Sequence, residues 1–139
     1  MYRPAWIWLS RAILDANISV MKQYEKLKAW KSCHQLVLVV YRVSATWPAA
    51  ERYGLIAQAR RAAFSSAANI AEGAAKRGHK EFRRFLDISL GSLAELSYIV
   101  KLVRDLGMLA DQPAAELEAV RDEAGRLTWG LYRHVSRNP

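Results

Sequence analysis

One pairing in the 139-residue sequence invites a chemical reading: Asn69 and Glu72, an amide and an acid within Asn69-Ile70-Ala71-Glu72-Gly73. Residues three apart share a helix face, so this carboxylate could serve as a general base or hold a substrate. A plainer use fits better. The pair stands just before a glycine and a change in composition, where such groups hydrogen-bond nearby backbone and fix a corner. Glu72 is also spaced to pair with Lys76 at i+4. Beyond the glycine come Lys76, Arg77, His79, Lys80, Arg83 and Arg84, opposed only by Glu81. Cations at the start of a helix work against its dipole, which suggests a patch kept for a polyanion or an acidic protein surface. A solvated helix end accounts for them equally well. Lys76, Arg77, Lys80, Arg83 and Arg84 are therefore the candidate nucleic-acid contacts. Phe82 and Phe85 read as core, so this corner lacks the exposed aromatic platform of dedicated RNA modules.

Other chemistry finds no support. His34, His79 and His134 fall on different segments, with neither an HExxH nor a Glu-x-x-His motif, which excludes a di-iron bundle. Gly-rich phosphate loops and G-x-S-x-G elbows are missing as well. Cys33 precedes His34 directly, and adjacent helical residues do not face each other. No catalytic, metal or cofactor site and no small-molecule substrate is expected. The single cysteine excludes an internal disulfide and suits a reducing cytoplasm. The formal net charge of +8 favours polyanionic partners. No run of 18 apolar residues offers a membrane-spanning helix.

The elements that must position these groups are helices. Few prolines and glycines with abundant Ala and Leu indicate an all-α chain. Helix one is expected from Leu27 to Ala45, with Trp30, His34, Val37, Tyr41 and Ser44 on its main stripe and Cys33, Val40 and Leu36 beside it. Leu36 to Val40 is apolar on every face, which calls for burial on two sides. Thr46-Trp47-Pro48 closes it. Helix two is expected from Glu51 to Lys76, thin with Ala, Ser and Gly and interrupted by Phe64. Helix three runs from His79 to Leu106, roughly 42 Å long. Its seam is Phe82, Leu86, Ser89, Leu93, Leu96, Val100 and Val103. A second stripe, Phe85, Ile88, Ser92, Ile99, Leu102 and Leu106, exceeds the needs of one bundle core. Gly107 suits a left-handed C′ position. Helix four is expected from an Asp111 N-cap, through Leu117, Val120, Ala124, Leu127, Leu131 and Val135, fraying from Ser136.

Short connections between four amphipathic helices give an antiparallel, up-down-up-down four-helix bundle. Closing helices two and three near residue 77 sets Ala63 opposite Gly91, Ala67 near Asp87, and Arg60 beside Glu95, where an ion pair would neutralise an acid in an apolar stripe. The bundle is expected over residues 21–139. Residues 1–20 form an extension of different character, in which Trp6, Leu9, Ile13 and Val20 could make a weak amphipathic helix docking on the domain or a neighbouring subunit; a native start at Met21 is the preferred expectation. Arg11 and Asp15 argue against a signal peptide.

Together, several short runs are specific. They are Leu27-x-x-Trp30, Glu51-Arg52-Tyr53-Gly54-Leu55, Gln58-x-Arg60-Arg61-Ala62-Ala63, Asn69-Ile70-Ala71-Glu72-Gly73, Lys80-Glu81-Phe82-x-Arg84-Phe85-Leu86 and Ile88-x-Leu90-Gly91-Ser92-Leu93-x-Glu95-Leu96. Over Tyr24 to Leu109 the chain resembles the bacterial 23S rRNA intervening-sequence proteins. It departs from their pattern at Ala68, Ala74 and Ala75. The resemblance implies a cytosolic, non-enzymatic bundle, similar to the accessory protein of diversity-generating retroelements, that assembles as a homopentameric ring. The expected function is a homo-oligomeric protein contacting RNA or a ribonucleoprotein through its basic surface. The alternative is a protein-binding scaffold with no nucleic-acid role.

Overall fold

The computed structural model describes residues 23–138. The expectations for segment 1–20 and for Met21 lie outside the described residues. After a 3-10 turn at Tyr24–Lys26, helix α1 spans Lys28–Ser44 and a second 3-10 turn covers Ala49–Glu51. Helix α2 spans Leu55–Ala74, α3 His79–Asp105 and α4 Asp111–Arg137. Among the described residues there are four α-helices and no strand.

Local chemistry explains where the boundaries differ from expectation. Helix α2 starts at Leu55 rather than Glu51, because the Glu51 carboxylate accepts the Leu55 N–H at 3.1 Å and caps the helix from outside. Ala110, not Asp111, is the N-cap of α4, and Asp111 instead lies 3.7 Å from the Arg104 guanidinium. Past Asp105 the chain turns at Gly107, whose φ of 72° only glycine adopts cheaply. The Met108 N–H reaches the Val103 carbonyl and the Gly107 N–H the Arg104 carbonyl, both at 2.9 Å. That is a Schellman closure. Helix α4 continues past Ser136 to Arg137.

Each helix packs on two neighbours: α2 on α3 most extensively, then α3 on α4, α1 on α4 and α1 on α2. The α1 core stripe is Ala29, Cys33, Leu36, Val39, Val40, Val43 and Ser44. The expected stripe is thus rotated: Tyr41 and His34 are exposed and Trp30 half-buried. Small Ala29 and Cys33 let α1 lie close to its neighbours. Trp30 then stacks on His34 at the rim and meets Tyr24 at a tilt of 59°, with centroids 5.0 and 4.7 Å away.

In α3 the seam from Leu86 to Val103 is buried, but so are Phe85, Ser92 and Ile99 of the second stripe. This corrects the reading of that stripe as surplus. Because α3 lies between α2 and α4, one core consumes both stripes, leaving Ile88 and Leu106 outside.

A small polar layer crosses the core, with one residue from each helix: Cys33, Ser66, Ser89 and Thr128, all fully buried. Cys33 Sγ lies 3.5 Å from Thr128 Oγ1, Ser66 Oγ donates to the Ala63 carbonyl, and Ser89 Oγ to the Ser66 carbonyl, both at 2.7 Å. Burial pushes the Cys33 thiol above its ordinary value, against the smaller downward pull of these hydroxyls.

Candidate nucleic-acid interface

The α2–α3 corner is built by close approach at Gly73. A Cβ there would stand 2.8 Å from Phe85 Cβ and 2.9 Å from Phe82 Cδ2, so only glycine lets the first turn of α3 fold onto the end of α2. Gly78, with φ of 89°, makes the turn, and its carbonyl accepts the Phe82 N–H. One turn further in, Asn69 donates to the Ser65 carbonyl at 2.8 Å and to Ser65 Oγ at 2.9 Å. Ser65 Oγ meets Ser92 Oγ of α3 at 2.7 Å. Asn69 thus orients a hydroxyl that ties the two helices.

Glu72 points to solvent and makes no ion pair with Lys76. The physical reason lies across the corner: the Lys76 ammonium is drawn over the Phe85 ring, 5.4 Å from its centroid. Gly91 does not oppose Ala63. It is exposed, with open space where a Cβ would stand. Nor does Arg60 pair with Glu95. Hairpin register places them level, but helical phase turns Arg60 toward α1, where it donates to Ser44 Oγ at 2.9 Å and lies over Tyr41 at 4.5 Å. Glu95 is exposed and accepts instead from the Gln58 amide.

The cations fan out around this corner. Arg84 bonds Glu81 at 3.2 Å and lies over Phe85 at 4.7 Å. Lys76, Arg77, Lys80 and Arg83 have no carboxylate within 4.0 Å among the described residues. Lys80, Arg83 and Arg84 line a groove of about 240 Å³ with Glu81, Asp87 and Tyr132 of α4. Helix α4 therefore adds to the basic end. Tyr132 stacks on Trp129 with centroids 5.4 Å apart and planes within 9°, and the Arg133 guanidinium lies 6.0 Å from the Trp129 centroid. Lys28 at the start of α1 shares a neighbouring groove with Arg126 and Arg133.

Sequence reasoning missed these α4 groups. Trp129 and Tyr132 lie off the stripe expected for helix four, from Leu117 to Val135, and spacing alone does not show which groups of the other helices they meet. A step of three residues followed directly by Arg133 was the signal, readable once the end of α4 is placed beside the start of α3.

The opposite end is different in kind. Arg42 pairs with Glu116, Lys101 with Asp105, and Arg104 with both Asp111 and Glu118. A groove between α3 and α4 there carries both signs of charge. Among the described residues no group of three or more His, Cys, Asp or Glu is placed to hold a metal ion, and no helix is long and apolar enough to cross a membrane. What the corner end offers chemically is unneutralised ammonium and guanidinium groups, able to hold phosphates.

These features define a small all-helical protein whose distinctive surface is a basic bundle end. Residues 25–130 match the model of the 23S rRNA-intervening sequence protein family, and the chain belongs to that family. Comparison with curated proteins returns no match.

Proposed function

We propose that this chain is a non-enzymatic, homo-oligomeric bundle of up-down-up-down topology that binds RNA or a ribonucleoprotein through its corner end. The observation that carries this reading is the contrast between the two ends. At the opposite end Arg42, Lys101 and Arg104 find carboxylates, with Arg52 the exception, whereas among the described residues Lys76, Arg77, Lys80 and Arg83 have none within 4.0 Å. Unpaired cations clustered on one end repel one another, a cost that a bound phosphate backbone reverses. The family description, which names 23S rRNA intervening sequences, is in keeping with an RNA partner.

Self-association rests on apolar side chains left outside the core, Leu38, Tyr41, Phe64 and Tyr98 among them. A pentameric ring is the assembly that the family resemblance implies. Light scattering at micromolar concentration that gives a monomer overturns this part.

Reversal of charge at Lys80, Arg83 and Arg84 tests the RNA reading. The triple variant is expected to lose RNA retention, and the Lys80 and Arg83 double reversal to weaken it while keeping the thermal midpoint, because of the three only Arg84 contacts Glu81 and the Phe85 ring. For weaker single reversals, the slope of log K against log salt should shrink by roughly 0.7 per contact removed on single strands. RNA binding that survives both the reversal and high salt removes the proposal. The exposed Tyr53 and Phe64 favour the second reading, a protein-binding scaffold. Crosslinked partners that persist after nuclease treatment select it.

A further inference from the structure

The groove at the corner end carries more than charge. We infer that it takes single-stranded nucleic acid, with an unpaired base stacked on the Trp129 ring and flanking phosphates held by Lys80, Arg83, Arg84 and Arg133. The inference rests on the proposed nucleic-acid function and narrows its ligand.

Three observations carry it. Trp129 is 49% exposed although it stands on a helix that contributes to the core, so a large π-face is left at the surface. Tyr132 stacks near-parallel on that ring, and Tyr132 also lines the groove with Lys80, Arg83 and Arg84, whose three cations outnumber the groove's two carboxylates, Glu81 and Asp87. The platform is thus continuous with the cations of α3. Finally, the Arg133 guanidinium sits at the outer limit of cation–π distance from Trp129 and has no carboxylate within 4.0 Å among the described residues. It can swing aside to admit a base and then engage the adjacent phosphate.

A duplex hides its base faces inside the helix and presents only backbone and base edges, on which an indole ring cannot stack. Single strands offer both faces and phosphates, and stacking is tolerant of sequence because every base has a π-face. The arrangement therefore predicts a preference for unpaired strands with little sequence selectivity.

The test compares binding of oligo(U), oligo(dT) and a mixed-sequence RNA duplex to the full chain by fluorescence anisotropy. The variants are Trp129→Leu, which keeps apolar area without a ring, and Trp129→Phe, which keeps a π-face. Circular dichroism verifies the fold of each. The expected result is that Trp129→Leu binds the single strands about ten- to a hundredfold more weakly, so that their advantage over duplex disappears, while Trp129→Phe restores most of it. Preference for oligo(U) over oligo(dT) would identify RNA as the better source, and equal binding a general single-strand site; either supports the inference. If Trp129→Leu binds single strands as the parent does, while charge reversal at Lys80, Arg83 and Arg84 abolishes binding, stacking is overturned and the broader function stands. If the parent chain binds none of the three, both fall.

Discussion

Replacing Gly73 by alanine tests the corner directly, because two effects of opposite sign compete there. Alanine gains about 1 kcal/mol of helix propensity over glycine. Against this, the new Cβ would sit 2.8 Å from Phe85 Cβ and 2.9 Å from Phe82 Cδ2. The Phe82 ring edge can swing away. Phe85 Cβ is the root of its side chain, so it moves only with the backbone of α3, and overpacking of this kind costs typically ~1–3 kcal/mol. Phe85 has little room to yield, being 7% exposed with Lys76 and Arg84 over its ring. The steric term wins, and Gly73→Ala is expected to lose about 1–2 kcal/mol, a fall in Tm of roughly 3–8 °C. Gly91→Ala is the control. It sits mid-helix and exposed, with no atom within 4 Å of the added Cβ, and should gain up to about 1 kcal/mol. Thermal and urea unfolding monitored by circular dichroism measure both. A Gly73→Ala variant as stable as the parent refutes the close approach, and equal losses at the two glycines refute the difference between their surroundings.

Two further outcomes follow from the polar contacts. The Cys33 thiol titrates higher in the folded than in the unfolded chain, chiefly because it is buried, so the neutral thiol favours folding fully below about pH 8.5–9. That contribution is lost as pH rises through the folded-state value: the Tm of the parent should fall faster than that of Cys33→Ala between pH 8 and 10, and parallel curves would contradict the burial of the thiol. Double-mutant cycles separate the two partners considered for Glu95. Gln58 and Glu95 should couple by a few tenths to 1 kcal/mol, an exposed pair, whereas Arg60 and Glu95 should show no coupling; the reverse result would restore the ion pair read from register alone.

Much of the architecture was legible because it depends on short-range patterns. The spacing of Leu86, Leu93, Leu96 and Val103, the glycine at 107 and the Trp47-Pro48 stop are local signals, and the four helices lie where they indicated. What sequence spacing left open was rotation about each helix axis. Register set Arg60 level with Glu95 and Ala63 level with Gly91, yet each helix also turns on its axis to satisfy two neighbours at once. Arg60 went to Ser44 and Tyr41, and Gly91 went to solvent. The same turn centred the α1 core on Cys33, Leu36 and Val40, which sequence spacing had set beside the main stripe, and left Trp30 and Tyr41 at its margin. Within the candidate site, the α3 cations could be read from composition, since Lys and Arg at a helix end stay exposed whatever the packing. Tyr132, and through it Trp129, could not be joined to them, because the groove that Tyr132 shares with Lys80 and Arg83 is a contact between helices far apart in the chain.

The corner also explains how a fold can carry unpaired charge without losing stability to it. Gly73 admits Phe82 and Phe85, and the buried Phe85 ring in turn takes Lys76 and Arg84 across its surface. Packing fixes the backbone from which Lys80 and Arg83 project, but no hydrogen bond or ion pair of those two side chains contributes to the corner itself. Charge and support are therefore separable at Lys80 and Arg83 and joined at Lys76 and Arg84. Neutralising Lys80 or Arg83 removes field without disturbing the helix ends, whereas a change at Gly73 shifts the first turn of α3 and every cation on it. The run from Asn69 to Gly73 ties α2 to α3 through Ser65 and the close approach at Gly73, and so determines where the α3 cations are presented.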